Sequence, residues 1–269
     1  MSSQDKLSAA GSNAIELDGV RIPKMGLGTW NLRGGRAVRA VRTALELGYR
    51  HIDTAEMYRN EAEIGQAIIE SGLARDELFI VSKVWKNHMQ AHEVVQACRR
   101  SCQRLRVDHL DMYLVHWPNS RVPIGDTMAG MAQAVSDGLA TRIGVSNFSV
   151  ADWKQAIDVC PQAVVCNQVR LNVRYHQDSI VGFAGKHGLA VVAYTPLAKG
   201  RLAREPELRR IAERMDRTPL QVALRWLIQQ GPVGAIPKAS NRGHLRENLG
   251  ALGFELSPGD MATIGAIAH

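Results

Sequence analysis

Short apolar runs alternate with longer amphipathic stretches along most of the chain. The runs Met25–Gly28, His51–Thr54, Phe79–Val84, Met112–His116, Arg142–Ser146, Val164–Val169, Ala190–Tyr194 and Gly234–Pro237 are rich in Val, Ile and Leu. They mostly lack the apolar–polar alternation of a half-exposed strand, and so predict strands buried on both faces, as in a parallel sheet covered by helices. Between them, Ala37–Leu47, Glu61–Ser71, Ala91–Leu105 and Ser179–His187 repeat apolar residues at helical spacing. Thr218-Pro219 and Ser257-Pro258 each set a capping hydroxyl before a proline suited to the first helical position. Ahead of the alternation, Ile15-Glu16-Leu17 and Val20-Arg21-Ile22 flank Asp18-Gly19, a dipeptide that tolerates the positive φ angles of a tight hairpin turn.

This succession of strand and helix units, without a long linker, predicts an α/β fold: a (β/α)8 TIM barrel with an N-terminal β-hairpin. A doubly wound open sheet is the rival. It would want a glycine-rich turn leading into a helix after the first strand, and Gly26-Leu27-Gly28-Thr29-Trp30 lacks both the third glycine and the helix start. At 269 residues the chain has the length of one such barrel. The expected organisation is a flexible tail over residues 1–13 and a single catalytic domain over 14–269.

The charge balance changes this picture little. Lys and Arg outnumber Asp and Glu by 33 to 26. The arginines, however, are spread over several predicted helices, as in Arg36, Arg39 and Arg42 or Arg209, Arg210 and Arg214, with no basic tail and no interleaved aromatic platform. Solvated helix faces account for them better than a nucleic-acid footprint. Cys98, Cys102, Cys160 and Cys166 form neither a disulfide nor a zinc framework and are expected to be free thiols in a reducing compartment. Residues 1–13 are polar, without the apolar core of a signal peptide, and no apolar run approaches the roughly 20 residues that cross a bilayer. A cytoplasmic monomer without membrane or nucleic-acid partners is the expectation.

In a parallel barrel the chemistry sits at the carboxyl ends of the strands. Polar residues fall at or near those ends: Asp53, Lys83, His116, Ser146, Asn147, Gln168 and Lys238. Taken alone, a histidine after a strand is more often a hydrogen-bonded structural residue, and a loop tyrosine such as Tyr58 usually just packs. Lys83 is less ordinary, because an ammonium on an apolar strand needs a partner, and Asp53 on the neighbouring strand offers one. Together the four suggest acid catalysis. A phenol titrates near 10, an ammonium beside it stabilises the phenolate, and a carboxylate behind the ammonium holds it in place. Such a tyrosine is expected to have a lowered pKa and to protonate a carbonyl oxygen as hydride reaches carbon. His116 would donate to that oxygen and orient the substrate.

The run His51-Ile52-Asp53-Thr54-Ala55-Glu56-Met57-Tyr58-Arg59-Asn60-Glu61 closely resembles the second-strand motif of the aldo-keto reductase family. The resemblance continues through Gly26-Leu27-Gly28-Thr29-Trp30, Ser82-Lys83-Val84-Trp85, Leu114-Val115-His116-Trp117-Pro118 and Gly144-Val145-Ser146-Asn147-Phe148. It extends to Asn167-Gln168-Val169, Ala193-Tyr194-Thr195-Pro196-Leu197 and Ile236-Pro237-Lys238, and so covers nearly the whole chain from Ile15. The short bacterial diketogluconate and methylglyoxal reductases are the most similar branch.

The resemblance implies reduction of aldehydes or activated ketones by NADPH, with NADH also accepted and no metal. Tyr58 becomes the proton donor, Lys83 and Asp53 its tuning pair, and His116 the substrate orienter. Ser146, Asn147 and Gln168 would hold the carboxamide and Tyr194 would stack beneath the nicotinamide. The backbone around Leu197 and Gly200 would approach the pyrophosphate, and Lys238, Glu247 and Asn248 fall at the adenosine end. Gly28, Thr29, Trp30, Asp53, Thr195, Pro196, Ala239, Ser240 and His244 join the implied cofactor contacts. Trp30, Trp85 and Trp117, with Tyr58 and His116, would line the substrate pocket.

Two departures stand out. The position from which the family's arginine grips a 2′-phosphate holds His244, and the serine after the lysine is Ala239. Imidazole lacks arginine's permanent charge and planar fork, so discrimination between NADPH and NADH is expected to weaken, with Arg242 the alternative contact. The segment Asn119–Gly125 is short and the chain stops soon after the last helix, which predicts an open, permissive pocket. Two rival readings share these features. A regulatory nucleotide-binding protein of this fold would not need all four catalytic residues. A Schiff-base aldolase using Lys83 would start from a salt-bridged and therefore poorly nucleophilic amine.

Overall fold

The computed structural model describes residues 13–17 and 19–267. Apart from Asn13, the expected tail over 1–13 lies outside the described residues, as does Asp18 of the expected turn. The hairpin is present: β1 (Ala14–Leu17) and β2 (Val20–Pro23) pair antiparallel with Ile15 opposite Ile22, and Gly19 has φ 69°.

Eight further strands form one sheet whose order follows the chain, β3 (Gly26–Gly28), β4 (His51–Asp53), β5 (Phe79–Val84), β6 (Leu110–Val115), β7 (Ala140–Ser146), β8 (Val164–Arg170), β9 (Ala190–Tyr194) and β10 (Val233–Ala235). The pairs from β4 to β8, and β9 with β10, are parallel, and Met25 bridges Ala235 in parallel. Helices separate them: α1 (Gly34–Glu46), α2 (Glu61–Ser71), α3 (Ala91–Leu105), α4 (Ile124–Ser136), α5 (Val150–Val159), α6 (Asp178–His187), α7 (Pro206–Met215), α8 (Pro219–Ile228) and α9 (Arg242–Leu249), with α10 (Pro258–Gly265) last. This is the (β/α)8 order with an N-terminal hairpin. The described chain comprises two compact units, residues 27–169 and the segments up to 26 and from 170 onward.

The strand runs are buried for the reason their composition predicts. Every residue of β5 is buried, as are all but the last of β8. The capping hydroxyls also act as expected: Thr218 accepts from the Gln221 backbone N–H at 3.2 Å and Ser257 from that of Asp260 at 3.1 Å. The first predicted helix begins three residues early, at Gly34, whose backbone N–H is satisfied by the Glu63 carboxylate at 3.1 Å. Four helices, α4, α5, α7 and α9, escape the periodicity reading. α4 contains Gly125 and Gly130 and buries small residues, which blurs its apolar stripe, and it absorbs the last two residues of the expected Asn119–Gly125 loop. α7 is announced only by Pro206 at its start.

Within the unit of residues 27–169, elements approach closely where side chains vanish. A Cβ at Gly65 of α2 would lie 2.6 Å from the Arg104 and Leu105 carbonyl oxygens of α3. At Gly144 of β7 it would lie 2.6 Å from the Cys166 carbonyl oxygen and 2.8 Å from a Leu114 methyl. β7 and β8 can keep their spacing only with glycine there. Gly144→Ala is therefore expected to destabilise the fold by about 1–3 kcal/mol through overpacking. The urea midpoint should fall without a change in m value; an unshifted midpoint would contradict the close approach.

Candidate active site

The unit of residues 27–169 contains all four residues of the expected catalytic set. Asp53 ends β4, Tyr58 closes a short 3-10 turn at Glu56–Tyr58, Lys83 lies on β5 and His116 follows β6. Lys83 Nζ donates to Asp53 Oδ1 at 2.6 Å and to the Thr54 carbonyl at 2.7 Å, and both charged side chains are almost wholly shielded from solvent. The second carboxylate oxygen of Asp53 accepts from Gln168 Nε2 at 2.8 Å. Lys83 Nζ also stands 5.2 Å from the centroid of the Tyr58 ring. The Tyr58 and His116 rings meet edge to face at 5.6 Å, and Trp85 meets His116 in the same manner at 5.1 Å.

A clamp around residues 54–61 gives Tyr58 its place. Asn60 donates through Nδ2 to the carbonyls of Thr29 (2.9 Å) and Leu32 (3.0 Å), while its Oδ1 accepts from Thr54 Oγ1 at 2.8 Å. Arg59 turns through the left-handed region at φ 54°. Glu61, fully buried, accepts from Ser82 Oγ at 2.6 Å and from Arg104 Nε at 2.7 Å, and so ties the start of α2 to β5 and α3. Thr29 holds β4 from the other side, its Oγ1 donating to the Asp53 carbonyl at 2.8 Å. Asn60 and Glu61 stood in the motif without a role assigned to them. Their only signal in the sequence was a polar pair at the entrance of a helix, a pattern that also describes ordinary caps.

The electrostatics correct one expectation. The Tyr58 pKa is not lowered by Lys83: burial, followed by the Asp53 carboxylate, raises it well above 10. The residue is half-buried by surface area, yet protein surrounds the phenol densely enough for desolvation to dominate. Desolvation is the larger cause, and the Asp53 carboxylate, 2.6 Å from Lys83 Nζ, offsets the ammonium field on which a lowered value would depend. Burial likewise pushes the Lys83 ammonium down, with Asp53 opposing. His116 is pushed down to about 3 by burial and by the charge of Lys83, so its imidazole is neutral at physiological pH. Its Nδ1 is buried without a hydrogen-bond partner among the described residues.

The expected carboxamide residues lie close by in the same unit. Ser146 Oγ donates to the Gln168 carbonyl at 2.8 Å. Asn147, at φ 63°, donates through Nδ2 to the His116 carbonyl at 3.0 Å. A hydroxyl and two side-chain amides match the donors and acceptor of a carboxamide. Gly28 and Thr29 are buried, Trp85 is half-buried, and Trp30 and Trp117 are exposed at 55% and 43%.

The other unit carries the remaining expected cofactor residues. Tyr194, Thr195 and Leu197 are half-buried and Pro196 is buried. Thr195, Ala198, Lys199 and Gly200 all adopt positive φ, between 46° and 84°. Backbone of this kind can form anion-binding concavities. At the start of α9, Lys238 and His244 are exposed, Ser240 is half-buried and Ala239 buried. Asn241 Oδ1 caps the His244 N–H at 2.8 Å, and its Nδ2 lies 2.9 Å from His244 Nδ1. Glu247 is engaged elsewhere, accepting from Thr218 Oγ1 at 2.6 Å, and Asn248 is buried. Among the described residues no helix is long and apolar enough to cross a membrane.

Residues 24–269 match the sequence profile of the Aldo/keto reductase family. The chain is 41% identical to methylglyoxal reductase DkgB of Yersinia pestis over 249 residues, covering 91% of this chain and 93% of that protein. It is 38% identical to the glyoxal reductase of Bacillus subtilis (strain 168), covering 93% and 90%. The crystal structure of an aldo/keto reductase from Brucella melitensis superposes with a TM-score of 0.89 at 37% identity, covering 94% of this chain and 98% of that one. An oxidoreductase acting on a small carbonyl compound, the chain belongs to the aldo/keto reductase family.

Proposed function

We propose that the protein reduces reactive aldehydes and α-dicarbonyls to alcohols with NADPH, NADH also serving, and that Tyr58 is the proton donor. The observation that carries this reading is the buried Lys83–Asp53 pair placed 5.2 Å beneath the Tyr58 ring, with neutral His116 packed against the same ring. A reduced nicotinamide, when bound, supplies the hydride. The oxygen of the former carbonyl then becomes an alkoxide, a far stronger base than phenolate, and takes the Tyr58 proton although the phenol holds it tightly in the free protein. Lys83 stabilises the phenolate left behind. A neutral imidazole at His116 donates one hydrogen bond to the carbonyl oxygen and orients it without carrying a proton of its own into the reaction.

Ser146, Asn147 and Gln168 are proposed to hold the carboxamide, and Tyr194 to face the nicotinamide ring. The positive-φ run around Thr195–Gly200 supports a pyrophosphate contact, and Lys238, Ser240 and His244 one with adenosine phosphate. The names of the relatives, methylglyoxal and glyoxal reductases, support small α-dicarbonyls as the substrate class. Exposed Trp30 and Trp117 support broad acceptance over tight selection. A cytoplasmic, monomeric enzyme remains the proposed setting.

Tyr58→Phe keeps the ring and removes the proton. Its turnover of methylglyoxal should fall about 10²–10⁴-fold, the usual worth of a positioned acid, with NADPH binding retained. Turnover within about tenfold of the parent would overturn the assignment.

The neutral state of His116 sets an acid limb on stability. In the unfolded chain an imidazole titrates near 6.5, and in the native protein His116 titrates near 3. Between those values the unfolded chain binds the extra proton, so stability is complete above about pH 6.5 and declines as pH falls toward 3. Urea midpoints between about pH 7 and pH 4 should therefore fall less steeply for His116→Gln than for the parent, by up to about 1.4 kcal/mol per pH unit. Parallel slopes would place the native imidazole in its charged form.

For the cofactor, His244→Arg should raise the NADPH-to-NADH ratio of kcat/KM by roughly tenfold or more, the scale of one charged hydrogen bond. An unchanged ratio would assign the 2′-phosphate to other residues such as Arg242.

A further inference from the structure

We propose that Glu56 is a positioning residue for carbonyl reduction, holding the Trp85 indole against His116 and thereby setting the direction of the imidazole. This inference rests on the roles of Tyr58 and His116 argued above. Glu56 opens the 3-10 turn that Tyr58 closes. Its side chain is only 9% exposed, and a buried carboxylate needs partners. Among the described residues, none of those it has is a lysine or arginine. Oε1 accepts the backbone N–H of Trp85 in a short hydrogen bond, and both carboxylate oxygens lie 3.2 Å from His88 Nδ1. The His88 N–H in turn reaches back to the Trp85 carbonyl at 2.9 Å and closes a tight turn over residues 85–88.

The consequence falls on His116. Its Nδ1 has no hydrogen-bond partner among the described residues, so the ring lacks at that atom the hydrogen bond that ordinarily fixes an imidazole's orientation. What holds it are two aromatic edges, Tyr58 at 5.6 Å and Trp85 at 5.1 Å, at interplanar angles of 75° and 74°. One carboxylate connects the two backbones that carry those rings, since Glu56 belongs to the Tyr58 turn and grips the Trp85 amide. Releasing it frees one wall of the slot in which the imidazole sits. A glutamine would keep the slot closed, because its Oε1 still accepts the Trp85 N–H.

The test compares Glu56→Ala, Glu56→Gln and Trp85→Leu with methylglyoxal and NADPH, and follows the ring-proton resonances of His116 by NMR. Glu56→Ala should lower kcat about 10- to 100-fold, the cost of misplacing a catalytic group by roughly an ångström, while the Kd for NADPH stays within about twofold. Its His116 resonances should move as the ring current of Trp85 shifts. Glu56→Gln should restore most of kcat and the parent resonances. Trp85→Leu, which leaves the turn intact, should reproduce both defects even where Glu56→Ala fails to fold.

A kcat loss in Glu56→Ala without movement of the His116 resonances would overturn the proposal, as would full activity in Trp85→Leu. The readings fail separately. Should Tyr58→Phe keep its turnover while the resonances still move in Glu56→Ala, the proton-donor role falls and the positioning of His116 stands.

Discussion

An ammonium without access to water is among the most costly groups a protein can bury, and Lys83 is such a group. It is tolerable only because Asp53 Oδ1 and the Thr54 carbonyl stand 2.6 and 2.7 Å away. Asp53 is in turn completed by Gln168 at 2.8 Å. Removing any one of these would leave an uncompensated charge or donor in the interior, where breaking a pair costs far more than making it gained. The strands β4, β5 and β8 must therefore stand in one register. Asp53 lies opposite Val81 on β5, and a shift of one residue would turn Lys83 out of reach. The pair proposed to serve the chemistry thus also fixes the alignment of the sheet that carries it.

The same pair sets the protonation of its neighbours. Desolvation is the larger influence on both neighbours, and the nearer charge of the pair, Asp53 for Tyr58 and Lys83 for His116, acts in the same direction. It keeps Tyr58 protonated and His116 neutral, two hydrogen-bond donors beside a compensated ion pair. That state is suited to a reaction that needs one proton delivered and one oxygen oriented, with no charge stranded before hydride arrives. In the proposed reaction the tyrosine stays a poor acid until the product oxygen becomes a stronger base, which would couple proton release to the chemical step.

Around this centre lies a layer of polar residues outside the proposed catalytic set. Asn60 holds the turn after β3 and Thr54 together, Glu61 binds α2 to β5 and α3, and Glu56 reaches the Trp85 turn. Each satisfies buried polar groups that the loop geometry would otherwise strand. Their identities were visible in the motif, but their roles were not. A glutamate at a helix entrance reads as a solvated cap until the neighbouring elements are in place.

The sequence by itself determined the alternation of buried strands and amphipathic helices, since apolar periodicity is a local property. β5, β9, α2 and α3 came out with the bounds read from the pattern, and Thr218 and Ser257 cap as their position before proline dictates. It also placed Asp53, Tyr58, Lys83 and His116 near strand ends, where a parallel fold brings its chemistry together. Only the tertiary structure decided the sign of the Tyr58 shift, because desolvation depends on everything packed around the phenol and sequence shows only the nearby charge. α4 escaped for a related reason: its small residues are explained by contact, Gly130 standing where a Cβ would lie 2.5 Å from the Ala91 carbonyl oxygen. The tie from Glu56 to Trp85 joins residues 29 positions apart, and no local pattern encodes a hydrogen bond that forms only when two loops meet.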